Sequence, residues 1–245
     1  MTVTAPAEDS TRFHVARPTG LRHARPWHRL AYIIRVLPRR LEALAPVLAV
    51  PPRGSVLDFG CAEQPYRRFF AETVEFVGAD LPGNPAADMT IGPDGTVPVP
   101  DDAFDAVLST QVLEHASDPP GYLAECRRIL RPGGRMLLST HGLMVYHPDP
   151  VDYWRWTRAG LDRLIESAGF EIVHGEGIMG LGAVGLQFVQ DSIYFRLPRW
   201  LRRPVAGLFQ TLIALVDRLI PAGGDDANAL VYVIVAEKPA EDAPA

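Results

Sequence analysis

The sequence predicts an α/β fold, a mostly parallel sheet with helices on both faces. Three observations predict it. From Ser55 to Gly177 short apolar runs alternate with segments of helical periodicity. The first run, Ser55-Val-Leu-Asp-Phe-Gly60, ends in a glycine, as a buried strand does on entering a tight turn. The second, Glu75 to Asp80, ends in an acid twenty residues after that glycine.

In order, Ser55–Phe59 reads as the first strand and Pro65–Ala71 as the helix after it. Glu75–Asp80 is a second strand, a short third lies near Ala86–Thr90, and Phe104–Thr110 is a fourth. Asp118 caps a helix with Pro119 and Pro120 in its first turn, and Leu123, Cys126, Ile129 and Leu130 follow at helical spacing. Arg131-Pro-Gly-Gly134 stops it, and Arg135–Thr140 is a fifth strand. Thr157–Ala168 is a helix ended by Gly169, and Phe170–His174 is a sixth strand. Ala229–Ala236 alternates as a last strand.

Two stretches stand outside this pattern. Residues 1–52 form an arginine-rich segment; Met1 to Arg53 carries a local charge of +6 in a chain of net charge −5. Within it, Trp27–Leu48 has helical spacing that Pro38 should kink or divide. Residues 178–229 interrupt the main unit of 53–239, with apolar helices at Leu181–Phe195 and Val205–Ile220 joined by an arginine-rich turn. Insertions of this length usually serve function or assembly. This one is expected to cap a pocket or pair with a second copy as a homodimer, with a lipid-facing role ranked below these. Residues 240–245 are a tail.

Composition excludes several classes. The net charge of −5 argues against a nucleic-acid partner. Lys238 is the only lysine, which removes a phosphate loop of the GxxxxGK[ST] kind and a Schiff-base enzyme. Cys61 and Cys126 are too few for a disulfide framework. No run of about 20 apolar residues spans a membrane, and acids stand where a signal peptide carries cations. The chain therefore reads as cytoplasmic.

In an open parallel sheet, ligands bind beyond the carboxyl ends of the strands. That address collects Asp58, Gly60, Cys61, Asp80, Ser109 to His115, and His141. The first turn keeps Gly60 but places Ala62 and Gln64 where a dinucleotide fingerprint has further glycines. An adenosine cofactor without phosphates tolerates that loss better. Asp80 is placed to accept both ribose hydroxyls.

Four segments in order, VLDFGCAEQPYR, FVGADL, PDDAFDAVLSTQVLEHASDP and LRPGGRMLLSTH, resemble the successive motifs of class I S-adenosylmethionine-dependent methyltransferases over about residues 53–177. The resemblance implies a Rossmann-like seven-stranded sheet of order 3-2-1-4-5-7-6, its last strand antiparallel. It implies that Asp58, Gly60 and Cys61 hold the methionine part of S-adenosylmethionine, and that Asp80 binds the ribose with Leu81 beside the adenine. Asp88 and Met89 would meet the adenine edge, and Thr110 and Gln111 would line the sulfonium.

Methyl transfer to a hydroxyl also needs a base, and histidine titrates in the useful range. His141, ending the fifth strand, is the leading candidate and His147 the second; His115 reads as a cofactor-side structural residue and His174 as packing or surface. His141, His147, Asp149 and Asp152 could assemble a site for a divalent cation such as Mg2+, with His147 and Asp149 the candidate ligands. Tyr153, Trp154, Arg155 and Trp156 form an aromatic and basic patch suited to a sugar ring or, equally, to packing a cap onto the sheet. The expected function is therefore O-methylation of a sugar hydroxyl on a glycan or glycoside, as in polysaccharide biosynthesis. The alternatives are a quinone, polyketide or other natural-product acceptor, or a non-catalytic adenosine-cofactor binding module.

Overall fold

In the central strands neighbouring residues bury into opposite faces of one sheet. Val56 joins one apolar cluster and Leu57 the other; Val231, Val233 and Val235 face one side, Tyr232 and Ile234 the other. A sheet buried on both faces needs two helical layers, and the computed structural model shows both. It describes residues 25–147, 151–222 and 227–240.

The strands are β1 (Ser55–Phe59), β2 (Glu75–Asp80), β3 (Met89–Thr90), β4 (Phe104–Thr110), β5 (Leu130–His141), β6 (Glu171–Gly180) and β7 (Ala229–Glu237). They form a seven-stranded sheet of order β3-β2-β1-β4-β5-β7-β6. Neighbours from β3 to β5 pair in parallel, and β7 runs antiparallel to both β5 and β6. The expected order is the observed one.

The helices are α1 (Ala31–Leu44), α2 (Pro119–Ile129), α3 (Arg158–Ser167), α4 (Leu181–Tyr194) and α5 (Arg199–Leu219). Leu123, Cys126 and Ile129 of α2 pack with Leu161 and Ile165 of α3 on one face. Ile33, Leu37 and Leu41 of α1 pack with Val184 of α4 and Ile213 of α5 on the other. Asp118 caps α2 by accepting the Gly121 N–H, and Thr157 caps α3 by accepting the Gly160 N–H. Oxygen-bearing side chains at these positions satisfy amides that a helix start leaves unpaired.

Several elements differ from expectation. Pro38 does not divide α1, which runs continuously through it. The buried stripe Ile33-Leu37-Leu41 holds the turns on both sides against the sheet. The expected helix at 65–71 is a single 3-10 turn, Arg67–Phe69. There Arg67 donates to the Phe76 carbonyl and Tyr66 and Phe69 pack on the core, so side-chain anchors replace helical hydrogen bonds. Pairing in β5 begins at Leu130, one residue before the expected stop signal. β6 continues six residues past His174, because β7 offers a partner along its whole length. α5 starts six residues early and absorbs most of the arginine-rich turn.

The single lysine closes the sheet. Lys238 Nζ donates to the Leu130 carbonyl (2.7 Å) and to Asp102 Oδ1 (2.6 Å). Lys238→Met leaves that buried carbonyl without its donor, and is expected to lower stability by about 1–3 kcal/mol. Denaturant titration checks it.

Candidate functional site

A cleft of about 1900 Å³ opens at the carboxyl ends of β1, β2, β4 and β5. Its floor is built from the loops that leave those strands, and the other wall is α1, through Leu30, Ile33, Ile34 and Leu37.

The β1 loop turns sharply. Gly60 has φ +83°, and a Cβ there would lie 2.5 Å from Val112 Cγ2, so only glycine fits. Ala62 (φ 48°) and Gln64 (φ 51°) also lie in the left-handed region. The two positions that lost glycine thus keep the backbone path that glycine would take. Asp80 ties this loop to β2: Oδ2 accepts the Ala62 N–H at 2.9 Å and the Asn84 side-chain amide at 2.6 Å, and Oδ1 accepts the Leu81 N–H at 2.7 Å. Cys61 is buried beside these acids; burial first, then Asp58 and Asp80, push its thiol up to about 12, so it stays protonated.

Asp58 does not itself line the cleft, although Phe59 and Gly60 beside it do. It is 0% exposed, and neither carboxylate oxygen has a hydrogen-bond partner. Burial, with Asp80 nearby, raises it from 3.8 to about 7. A buried carboxylate without a partner is costly, and an incoming cation would relieve it. Asp58, the Gly60 bend and Asp80 therefore fit a ligand with an ammonium group and a ribose.

Gly60, Cys61, Asp80, Leu81, Thr110, Gln111, His141 and His147 all line the cleft. Asp88 and Met89 do not. Asp88 Oδ2 accepts the Gly78 N–H (2.8 Å) and the Gln64 amide (2.9 Å), while Met89 packs on the core. The wall beyond β3 is made instead by Ile91 and the turn Asp94-Gly95-Thr96, which sequence reasoning missed. Its signal was the Asp-Gly pair, with Gly95 at φ +82°.

Three histidine rings form a row. His141 and His147 have centroids 4.6 Å apart, and His147 and His115 5.1 Å. His147 Nδ1 lies 3.1 Å from Asp152 Oδ2, which also accepts the His147 N–H at 2.9 Å. Arg155 grips both oxygens of Asp152. Burial pushes the Asp152 carboxyl up, but hydrogen bonds from Arg155 and His147 outweigh it and hold the carboxyl well below its usual range. His141 is 2% exposed, and burial first, then His147 and Arg155, lower it to about 2. Its Nε2 stands 3.3 Å from Glu114 Oε1, out of line for a hydrogen bond. Glu114 is itself buried, raised by that burial to about 7, and accepts the Thr140 hydroxyl at 2.9 Å. It lies within the Ser109–His115 run expected at the ligand address, next to His115 in the Leu-Glu-His turn, where the sequence alone assigns it no role.

Tyr153, Trp154, Arg155 and Trp156 do not line the cleft. They form a strap across the ends of β4 and β5. The Tyr153 and Trp154 N–H groups donate to the Glu114 carbonyl, and the Trp156 N–H to the His141 carbonyl. Trp154 Nε1 donates to the Ala116 carbonyl (2.7 Å), and Arg155 to those of Met144 and Val145. The His115 ring binds the Val151 carbonyl at 2.6 Å. The patch expected to hold a sugar thus holds the histidine row. His174 lies away on β6, 3.6 Å from Glu176, and Asp149 lies outside the described residues.

One donor atom from each of Glu114, His115 and His147 lies within 4.8 Å of the others, and the same holds for His141, His147 and Asp152.

Residues 27–174 match the family described as a methyltransferase domain. The chain belongs to that family. Its strand order is the one expected for the class I S-adenosylmethionine-dependent methyltransferase fold. A Mycolicibacterium smegmatis protein named "Probable S-adenosylmethionine-dependent methyltransferase" is 35% identical over 111 residues, 40% of this chain and 43% of the relative. The ubiquinone biosynthesis O-methyltransferase of Dinoroseobacter shibae is 34% identical over 93 residues, 31% of this chain and 38% of the relative. The chain thus spans less than half the length of these relatives. Among solved structures, the [4+2]-cyclase SpnF superposes with TM-score 0.55 at 22% identity, covering 84% of this chain and 82% of that one. The Burkholderia thailandensis 1,6-didemethyltoxoflavin-N1-methyltransferase superposes with TM-score 0.51 at 17% identity, covering 82% and 78%. The likeness to both establishes the fold alone.

Two outcomes are expected of this methyltransferase. Ala62→Gly should stabilise the protein by about 1 kcal/mol, because it relieves a left-handed alanine; a loss of stability in thermal melts would mean that the loop takes another path. Asp58 keeps a proton up to about 7 in the fold, against 3.8 ordinarily. The folded chain therefore binds more protons across that window, so apo stability falls as pH rises from about 4 to about 7 and levels off above. Glu114, also raised to about 7, adds to this slope, and His141, lowered to about 2, opposes it. The Asp58 contribution is therefore read as a difference: in melts across pH, Asp58→Asn should lose less stability between about pH 4 and about pH 7 than the unsubstituted chain.

Proposed function

We propose that this methyltransferase transfers its methyl group to a hydroxyl of a largely apolar acceptor, of the quinol or polyketide kind, with His147 as the general base. One observation carries the reading: the His147–Asp152 pair faces a cleft whose opposite wall is the apolar side of α1. The relatives named as ubiquinone biosynthesis O-methyltransferases support it. The sugar reading rested on the 153–156 patch, which is engaged in the strap.

S-adenosylmethionine, when bound, supplies an electrophilic methyl group and its own leaving group. Asp58 would receive the ammonium end behind the Gly60 bend, and Asp80 the ribose hydroxyls. The Asp94-Gly95-Thr96 turn and Leu81 would border the adenine, and Thr110 and Gln111 the sulfonium. His147 Nδ1 donates to Asp152, which leaves the Nε2 lone pair to take the acceptor's hydroxyl proton. Asp152, fixed by Arg155, stabilises the imidazolium that results. His141 is a weak base, since burial keeps it neutral; its place is to position His147. The apolar wall of α1 excludes water from the transfer.

A second reading of the same residues has its own observation. Glu114 Oε1 is buried without a hydrogen bond beside His115 and His147, in a donor set within metal-ligand reach. A divalent cation there would bind the acceptor oxygen and acidify its proton. Two histidines with a carboxylate favour Zn2+, Mn2+ or Fe2+ over Mg2+, which prefers oxygen ligands.

His147→Ala is expected to lower kcat by about 10²–10³-fold, within the range for general-base catalysis, with S-adenosylhomocysteine affinity unchanged. Asp152→Asn should cost less. The assay is methyl transfer to a panel of catechols, quinols, hydroxylated polyketides and glycosides; turnover on glycosides alone would overturn the apolar acceptor. Chelation separates the two readings, since activity lost to EDTA and restored by Zn2+ or Mn2+ assigns His147 to the metal.

A further inference from the structure

The α4–α5 hairpin carries a polar layer inside and an apolar face outside. On its inward face, beside the core residues Val184 and Ile213, Gln187, Gln190 and Gln210 are buried, and all three side-chain amides donate to the Arg29 carbonyl at 2.7–3.1 Å. Its outward face is apolar. On α5, Leu208, Leu212, Leu215 and Leu219 recur at spacings of four, three and four, which is one stripe, and all are exposed. Phe188, Val189 and Ile193 stand exposed on α4, and Phe195 just beyond it. A helix that packs against its own protein and faces water has the reverse pattern. Exposed apolar surface of this extent marks a docking face.

The charges around the stripe identify the occupant. Arg196, Arg199 and Arg203 are exposed at the turn between the helices, and Arg218 at the far end. Among the described residues none of these is paired with an acid. The hairpin's acids, Asp191 and Asp217, are turned inward: Asp191 meets Arg29 at 3.1 Å, and Asp217 accepts the Tyr32 hydroxyl at 2.6 Å. Trp200, 75% exposed, sits among the arginines. A second copy of this chain would bring arginines to arginines, with no acid among the described residues of the hairpin turned outward to meet them. An apolar stripe with a cationic rim and an interfacial tryptophan fits an anionic lipid surface. No described helix is long and apolar enough to cross a membrane, so the hairpin lies along the surface.

We propose that α4 and α5 seat this protein on anionic membranes, their leucine and phenylalanine stripe in the interface and their arginines on the headgroups. The proposal stands on this surface alone, and its test does not depend on the methyl acceptor.

The experiment is vesicle co-sedimentation of the full chain, with phosphatidylcholine vesicles against vesicles containing about 30% phosphatidylglycerol. Binding is expected to be at least about tenfold stronger to the anionic vesicles and to weaken as NaCl rises from about 0.1 to about 0.5 M, because the arginine contribution is screened. Leu212→Gln with Leu215→Gln should abolish sedimentation. Arg199→Glu with Arg203→Glu should weaken it more than tenfold, at about fivefold per arginine removed. All four side chains are on the surface, so unchanged melting temperature and S-adenosylhomocysteine affinity show that the variants fold. Equal binding to neutral vesicles would overturn the charge assignment. Absence of vesicle binding would overturn the proposal, whether the protein is a monomer or a dimer that Leu212→Gln splits; the second result would make the face a self-interface.

Discussion

Asp58 is a carboxylate sealed inside the protein without a hydrogen bond, and the carboxyl edge of the sheet is arranged around that uncompensated group. A parallel sheet delivers its strand ends to one side, so polar residues there crowd together. Asp58 and Asp80 lie at the ends of neighbouring strands, and Asp80 adds to the rise in the proton affinity of Asp58. Asp80 is stabilised by three donors, two from the loop after β2 and one from the β1 loop; Asp58 has none. The fold tolerates the arrangement because a protonated Asp58 carries no charge. In the proposed reading, the ammonium end of a ligand would replace that proton with a better partner.

The second organised group is the histidine row, and here the strap does the positioning. Residues 151–156 send main-chain and side-chain hydrogen bonds to the carbonyls at the ends of β4 and β5. These bonds fix the turn that carries Glu114 and His115 against the strand end that carries His141. The aromatic rings then close the strap by stacking, Trp154 on Trp156 at 5.7 Å. Tying His147 to Asp152 of this strap, rather than placing it on a strand, lets it stand 31% exposed in the cleft while the Asp152 side chain is buried. His141 has the opposite environment: the strand buries it, and burial removes its basicity.

The alternation of strands and helices was legible in the sequence, because period-two and period-3.6 patterns report burial directly. Gly60 and Asp80 were legible for the same reason: each sits where a strand ends. What escaped was set by tertiary contact. Pro38 fails to divide α1 because the sheet holds both halves. The aromatic patch at 153–156 has a composition common to sugar platforms and to packed straps, and composition cannot distinguish them. Glu114 carried no signal of its own role, because a glutamate within Leu-Glu-His looks like a surface residue until Thr140 of β5 packs on it. The Asp94-Gly95 turn follows a strand of only two residues, so no strand pattern led to it.

α1 connects the two surfaces that give this methyltransferase its character. Leu30, Ile33, Ile34 and Leu37 form the apolar wall of the cleft. Between them, Tyr32 turns outward: its N–H donates to Gln210 and its hydroxyl to Asp217, both on α5. Arg29, just before α1, receives the three glutamine amides of the hairpin at its carbonyl and bonds Asp191 through its side chain. Wall and hairpin are therefore one mechanical unit, joined by hydrogen bonds in a polar layer between two apolar ones. That layering explains the buried glutamines, which would be poor choices for a core but are suited to registering one apolar layer against another. A hairpin held at a lipid surface would place the apolar wall one helix away from it, so an acceptor that dissolves in lipid has a short path from the bilayer to His147.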